Sequence, residues 1–337
     1  MVMTPNRNSS GIDDPLVSIV IPTYNRRRFV ADAIDSGLRQ TCANCEVIVV
    51  DDGSVDGTAD FLREKYGDRI VLITQANQGP GIARNSGIAS ARGEFIQFLD
   101  ADDQLHRQKI EIGLEVFRCH PNVSVVYTHF QFVAADGETP IETPPFEHYT
   151  DDVFCELLRQ TGCRILTSSS MIRTAALRAV GGFADDVDFR SAEDWDLFLR
   201  LARRYRFHGI DRRLVYRRMH DGMISDDRLY GALGRLKTVQ RARRYGWEQC
   251  MEAAEFDRKE AARHHVYALY LWQAGQARSA RGHFLRAAAL YSPESPQRRL
   301  YALYTWLLPP ASVDWTIALA HRFRRLMSGF KSDSSES

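Results

Sequence analysis

The chain has 337 residues, 44% of them hydrophobic and 26% charged, and a formal net charge of +1. This is the profile of an ordinary soluble globular protein with one large domain or two smaller ones, and the charge excludes a bulk electrostatic case for nucleic-acid binding. The first fourteen residues, MVMTPNRNSSGIDD, lack the apolar core of a signal peptide, and no apolar run reaches the roughly 18 residues of a membrane span.

Six scattered cysteines read as reduced cytosolic thiols rather than a disulfide scaffold. Cys42 and Cys45 form a C-x-x-C with neither a thioredoxin-like context nor a second ligand pair.

Residues 1–14 are expected to be disordered and 15–225 to form the main domain. VSIVIP, residues 17–22, is a continuous apolar run of the kind a doubly buried parallel strand needs. Arg28 to Gln40 follows with apolar residues at helical spacing. CEVIVVD is a second strand, stopping at Asp51-Asp52-Gly53. Ser54 to Tyr66 is a second helix, which Ser54 or Asp56 could cap. Ile70 to Thr74, the helical run Gly79 to Ala91, and the strand Glu94 to Leu99 complete a β-α-β-α-β-α-β series. That alternation predicts an α/β fold with a Rossmann-like, mostly parallel central sheet flanked by helices.

Further on, Val123 to Phe132 reads as a strand and 136–151 as a turn-rich loop. A short helix is expected over Asp152 to Gln160. Arg164 to Arg173 reads as a strand leading into a helix that Gly181-Gly182 ends. Asp194 to Tyr205 is an amphipathic helix, and Arg213 to Met219 a last strand. Residues 226–330 change to long helical stretches, an α-helical C-terminal extension, with 331–337 a disordered tail. Ala280, Phe284 and Ala287 partly match a tetratricopeptide unit, but one unit does not make an array, and a plain helical hairpin is the simpler reading. Tyr301 to Ala320, beside the basic HRFRR, could lie on a membrane surface or pack on its own domain.

In parallel sheets ligands bind beyond the carboxyl ends of the strands. Here those ends carry Pro22-Thr23-Tyr24-Asn25, Asp51-Asp52-Gly53-Ser54 and Asp100-Ala101-Asp102-Asp103, so three polar clusters converge on one edge. Carboxylates at the end of a buried strand must be paired, solvated or bound to a cation. Asp-x-Asp offers hard oxygen ligands to Mg2+ or Mn2+, whose remaining ligands are commonly water and a substrate diphosphate. The competing reading makes Asp102 or Asp103 the cap of the next helix.

VSIVIPTYNR, VIVVDDGSVDGT, NQGPGIARNSGI, GEFIQFLDADD, VGGF, AEDWDLFLRL and YRRMH occur in this order. Over residues 15–225 the chain thereby resembles inverting glycosyltransferases of family 2, with the GT-A fold. The resemblance implies a nucleotide-sugar donor, most often a UDP-sugar, and Mn2+ or Mg2+. It puts Pro22, Tyr24, Asp52, Arg84 and Asp100 around the nucleotide: Tyr24 against the uracil face, Asp52 accepting its imide N–H, Asp51 at the ribose or holding the loop. It makes Asp102 the principal metal ligand, with His220 near the metal or diphosphate, and Asp194 the catalytic base. Glu193 and Trp195 become candidates for orienting the acceptor, although Trp195 could simply pack. Arg217 and Arg218 could close over phosphates, and a lid is expected from Ser225 onward.

The implied acceptor is a carbohydrate or lipid-linked hydroxyl in polysaccharide or glycolipid assembly, with the protein cytoplasmic or peripheral at the inner face of the membrane. Two alternatives stand beside this: an inactive nucleotide-sugar-binding scaffold, and a nucleotidyltransferase. The second calls for a Gly-rich phosphate loop after the first strand, where this chain has PTYNRRR.

Overall fold

The computed structural model describes residues 15–143, 149, 152–185, 189, 191–221, 227–291 and 295–299. The expectations for residues 1–14, Tyr301–Ala320 and 331–337, for the start of the lid at residues 225–226, and for most of the loop from 144 to 151 lie outside the described residues. The chain divides into two compact units, Met1–Ile224 and Ser225–Ser337.

The first unit is built on an eight-stranded sheet. In chain order its strands are β1 (Val17–Thr23), β2 (Cys45–Asp51), β3 (Val71–Thr74), β4 (Phe95–Phe98), β5 (Gln104–Leu105), β6 (Val123–Val133), β7 (Ser170–Arg173) and β8 (Arg206–Arg218). Their order across the sheet is β3-β2-β1-β4-β7-β6-β8-β5. β1, β2, β3 and β4 run parallel, β7 lies antiparallel between β4 and β6, and β6 pairs with β8 in parallel. All seven residues of β1 are buried, as its position between two parallel neighbours requires.

Among the described residues the sheet is accompanied by α1 (Val30–Leu38), α2 (Thr58–Tyr66), α3 (Pro80–Ser90), α4 (Lys109–Cys119), α5 (Val153–Arg159), α6 (Thr174–Ala179) and α7 (Glu193–Ala202). The core gathers Ile19, Ile21, Val30, Ile34, Val49, Leu62, Leu114 and Met171, among others. α3 approaches β1 so closely that a Cβ on Gly87 would overlap the Val20 side chain.

Three expectations about where elements begin need correction. Asp103 does not start the next helix: β5 follows it, and Gln108 occupies the N-cap position of α4. α2 starts later than Ser54, behind Gly57 in the left-handed region, and Asp56 instead accepts from the Thr58 amide and hydroxyl. β8 begins at Arg206 rather than Arg213, because pairing with β6 sustains a polar stretch that no apolar alternation marks. The expectation of reduced thiols holds at Cys42, Cys45, Cys119 and Cys163, and not at Cys155 or Cys250.

The second unit contains α8 (Arg228–Ala242), α9 (Ala253–Gln273) and α10 (Ala277–Ala289). Asp227 caps α8 by accepting from the Tyr230 amide. α9 and α10 form a hairpin that turns at Gly275, with Ala268, Leu271, Ala280 and Phe284 as its core. No helix among the described residues is long and apolar enough to cross a membrane.

Candidate active site

The loops after β1 and β2 are laced together. Asn25, at φ 51°, donates its amide to Ser54 Oγ (2.8 Å), and its Oδ1 accepts from the Val55 amide (2.8 Å). Tyr24 is left 45% exposed beside this joint, a free aromatic face at the strand end. Pro22 is buried within β1, in register with Val50. Asp51 accepts from the Ser54 amide through Oδ1. Asp52 is buried and already heavily used: Oδ1 accepts from Gln75 Nε2 (2.8 Å) and the Gln78 amide (3.0 Å), and Oδ2 from the Gly79 amide (2.7 Å). A carboxylate has about four acceptor sites, so Asp52 chiefly closes the loop that enters α3.

The acids after β4 divide their work. Asp100 Oδ1 accepts from Arg84 Nη2 at 2.7 Å, and its backbone amide donates to Ser168 Oγ at 3.0 Å. Asp103 is buried, accepting from Ser168 Oγ (2.7 Å) and the Arg218 amide (3.3 Å). Burial, with Asp102 and Asp100 close by, pushes the Asp103 carboxyl well up. Asp102 remains partly exposed, with its Oδ2 3.0 Å from His220 Nε2 and 3.7 Å from Arg26 Nε.

His220 is seated against the Phe29 ring, 4.5 Å between centroids, and its Nδ1 lies 2.8 Å from the Asp221 carbonyl. That carbonyl orients the ring and leaves Nε2 facing the carboxylate. One carboxylate and one imidazole fit a hard divalent cation whose other ligands come from substrate and water. Among the described residues no group of three or more His, Cys, Asp or Glu forms a ready-made metal cage.

α7 presents the third group. Ala192 is its N-cap, so Asp194 stands in the first turn rather than capping it, and Asp194 Oδ1 accepts from the Trp195 amide. Burial first, then the neighbouring Glu193 carboxylate, pushes the Asp194 carboxyl up to about 7, while Arg84 pulls it down. Glu193 Oε1 accepts from Arg84 Nη1 at 3.0 Å, and its buried Oε2 has no hydrogen-bond partner among the described residues.

Arg84 is therefore a buried link. It leaves α3 over the Phe183 ring, with one arm on Asp100 after β4 and the other on Glu193 of α7. Its two carboxylates hold the guanidinium fully charged, raising a group that burial alone would lower.

Trp195 packs: it is 1% exposed and donates Nε1–H to the Leu157 carbonyl at 3.0 Å. Arg218 is also buried, pairing with Asp32 at 2.7 Å above the Phe29 ring, and Arg217 lies over Phe132. Sequence reasoning missed the Thr167-Ser168-Ser169 turn. There Ser168 joins Asp100 to Asp103, and Gln97 Nε2 donates to the Ser168 carbonyl at 2.8 Å. A run of small hydroxyl residues before a short strand was its one local signal.

The model of the family described as "Glycosyl transferase family 2" matches residues 18–178. An uncharacterized glycosyltransferase of Rickettsia typhi is 32% identical over 223 residues, which is 64% of this chain and 67% of that protein. Another, from Rickettsia felis, is 34% identical over 212 residues, 63% of this chain and 34% of its own length. The chondroitin synthase of Escherichia coli is 31% identical over 208 residues, 61% of this chain and 29% of that enzyme. The chain thus spans about a third of these two longer relatives. Among solved structures, S. aureus TarS 1-349 in complex with UDP-GlcNAc is similar at a TM-score of 0.60 and 20% identity, covering 82% of this chain and 83% of that one.

Proposed function

The chain belongs to glycosyl transferase family 2 and has the GT-A fold, and from that premise we propose that it transfers a sugar, with inversion, from a UDP-sugar to an acceptor hydroxyl. One observation carries the proposal. The strand-end acid Asp100 is joined through Arg84 to Glu193, the chain neighbour of Asp194 in the first turn of α7, so a donor-side acid and the acceptor-side pair form one connected cluster. The UDP-GlcNAc named in the TarS complex supports a uridine donor, and the chondroitin synthase relative supports a role in polysaccharide assembly.

On this reading Tyr24 stacks on the uracil, a contact that contributes roughly 1–3 kcal/mol. The Asp51–Asp52 pair receives the imide N–H, with Asp51 the less occupied of the two. Pro22 sets the backbone of the base-binding loop, and Asp100 borders the ribose. Asp102 and His220 would hold Mn2+ or Mg2+, and the cation would supply positive charge to a departing diphosphate. Asp194 takes the proton from the acceptor oxygen as that oxygen bonds to the anomeric carbon. The bond to the diphosphate breaks on the opposite side, and the configuration inverts. Glu193 Oε2, a buried acceptor with no partner among the described residues, orients the acceptor by receiving a hydroxyl donor.

A donor screen tests the proposal. Purified protein with Mn2+ is given UDP-glucose, UDP-galactose, their N-acetyl forms, GDP-mannose and dTDP-rhamnose, and nucleotide release is followed beside an Asp102→Ala control. Release from a UDP-sugar that the control abolishes is the expected result. Release from GDP-mannose alone overturns the uridine assignment. No UDP binding by calorimetry, with or without Mn2+, overturns the enzyme reading in this form.

A further inference from the structure

From Ala261 to Pro293 the chain contains no Asp or Glu, yet carries Arg263, Arg278, Arg281 and Arg286. The structure sorts these charges. On α10, Ala280, Phe284, Ala287 and Ala288 are buried. Arg278, Gly282, Leu285 and Ala289, spaced i, i+4, i+7 and i+11, form an exposed stripe flanked by the exposed Arg281 and Arg286.

Leu285 is 48% exposed, and nothing lies within 4 Å of a Cβ built on Gly282. None of the three α10 arginines has a carboxylate partner among the described residues, whereas Arg243, at the end of α8, is paired with Asp257 and Glu260 of α9. Among the described residues no carboxylate pairs with the positive charge of this face.

We propose that the outer face of α10 docks on an anionic lipid surface. The arginines supply attraction to acidic headgroups, worth roughly a hundredfold in affinity for three such side chains. The apolar centre of Leu285, Gly282 and Ala289 selects a bilayer over a soluble polyanion, because only the acyl boundary rewards buried leucine. Arginines flanking such a centre keep their heads among phosphates while their stems lie along the apolar boundary. This inference does not depend on the donor or on the chemistry at Asp194.

The test is co-sedimentation of the full chain with vesicles of phosphatidylcholine alone and of phosphatidylcholine with phosphatidylglycerol, together with binding to soluble heparin. Binding at least tenfold tighter to the anionic vesicles is expected. The triple variant Arg278→Glu, Arg281→Glu, Arg286→Glu should lose that preference while keeping its thermal midpoint and donor hydrolysis. Leu285→Ala should weaken vesicle binding several-fold and leave heparin binding unchanged. No preference for anionic vesicles, or a triple variant that binds as the parent does, overturns the proposal. Equal loss of heparin and vesicle binding in the triple variant, with Leu285→Ala silent, assigns the face to a polyanion instead and also overturns it.

Discussion

At Asp194 the ionised form that would take a proton is the form its surroundings disfavour. Burial and Glu193 push the carboxyl up to about 7, whereas an unfolded chain ionises the same group near 4. Between those values the folded state keeps the proton and the unfolded state releases it, so this group's contribution to stability falls as pH rises from about 4 to about 7. Turnover runs the other way. The rate at low donor concentration should climb through about pH 7 while the urea midpoint declines over the preceding interval. Asp194→Asn should abolish turnover throughout, retain UDP binding and flatten that part of the stability profile. A rate independent of pH between about 6 and 8 would remove Asp194 from the role. Arg84→Met leaves Glu193 and Asp100 without their counter-charge, and breaking one side of a buried pair costs about 3–5 kcal/mol. It should also move the rising limb of the pH profile upward. Arg84→Lys keeps the charge but not the two-armed reach, so it should restore the limb more than the stability. Were Arg84 a nucleotide ligand alone, the donor KM would rise and the limb would stay in place.

The elements that set these residues in place differ in how their sequences announce them. α3 depends on Gly87, since any Cβ there overlaps Val20 of β1. Gly87→Ala should cost about 1–3 kcal/mol by overpacking, read from urea unfolding, with activity per folded molecule preserved. A silent Gly87→Ala would mean that α3 does not ride on β1 at that distance. The Thr167-Ser168-Ser169 turn acts differently, because Ser168 holds two of the strand-end acids at once. Ser168→Ala leaves buried polar partners unsatisfied, a cost of about 1–3 kcal/mol. It should weaken UDP and Mn2+ binding together in calorimetry. Undiminished binding would reduce the turn to a structural connection. The apolar runs of β1, β2 and β4 were legible because a strand buried on both faces reads as a near-continuous apolar run, with Ser18 and Gln97 as buried polar exceptions. β5, with two residues, and the arginine-rich first half of β8 were not, because their pairing comes from neighbours distant in sequence.

For the whole molecule, donor and cation are expected to act as one ligand. A chelator should abolish transfer and Mn2+ restore it. UDP with Mn2+ at about a hundred times its Kd should add about 2.7 kcal/mol of stability, seen as a raised Tm, and UDP with chelator much less. Equal shifts in the two cases would sink the shared site. The sequence by itself determined the alternation of strand and helix, and with it which residues stand at the carboxyl ends of the strands. Hydrophobic burial obeys a local period, so a single chain reveals it. It also carried the ordered motifs that mark the family. Only the tertiary structure decided what each polar group is spent on. It showed Asp52 closing a loop, Trp195 packed in the interior, Arg218 held by Asp32, and His220 facing Asp102. A carboxylate looks the same in sequence whether its partner is water, a cation, or, as with Glu193, an arginine 109 positions away. The electrostatics of that choice depend on distance and burial, which no local pattern records.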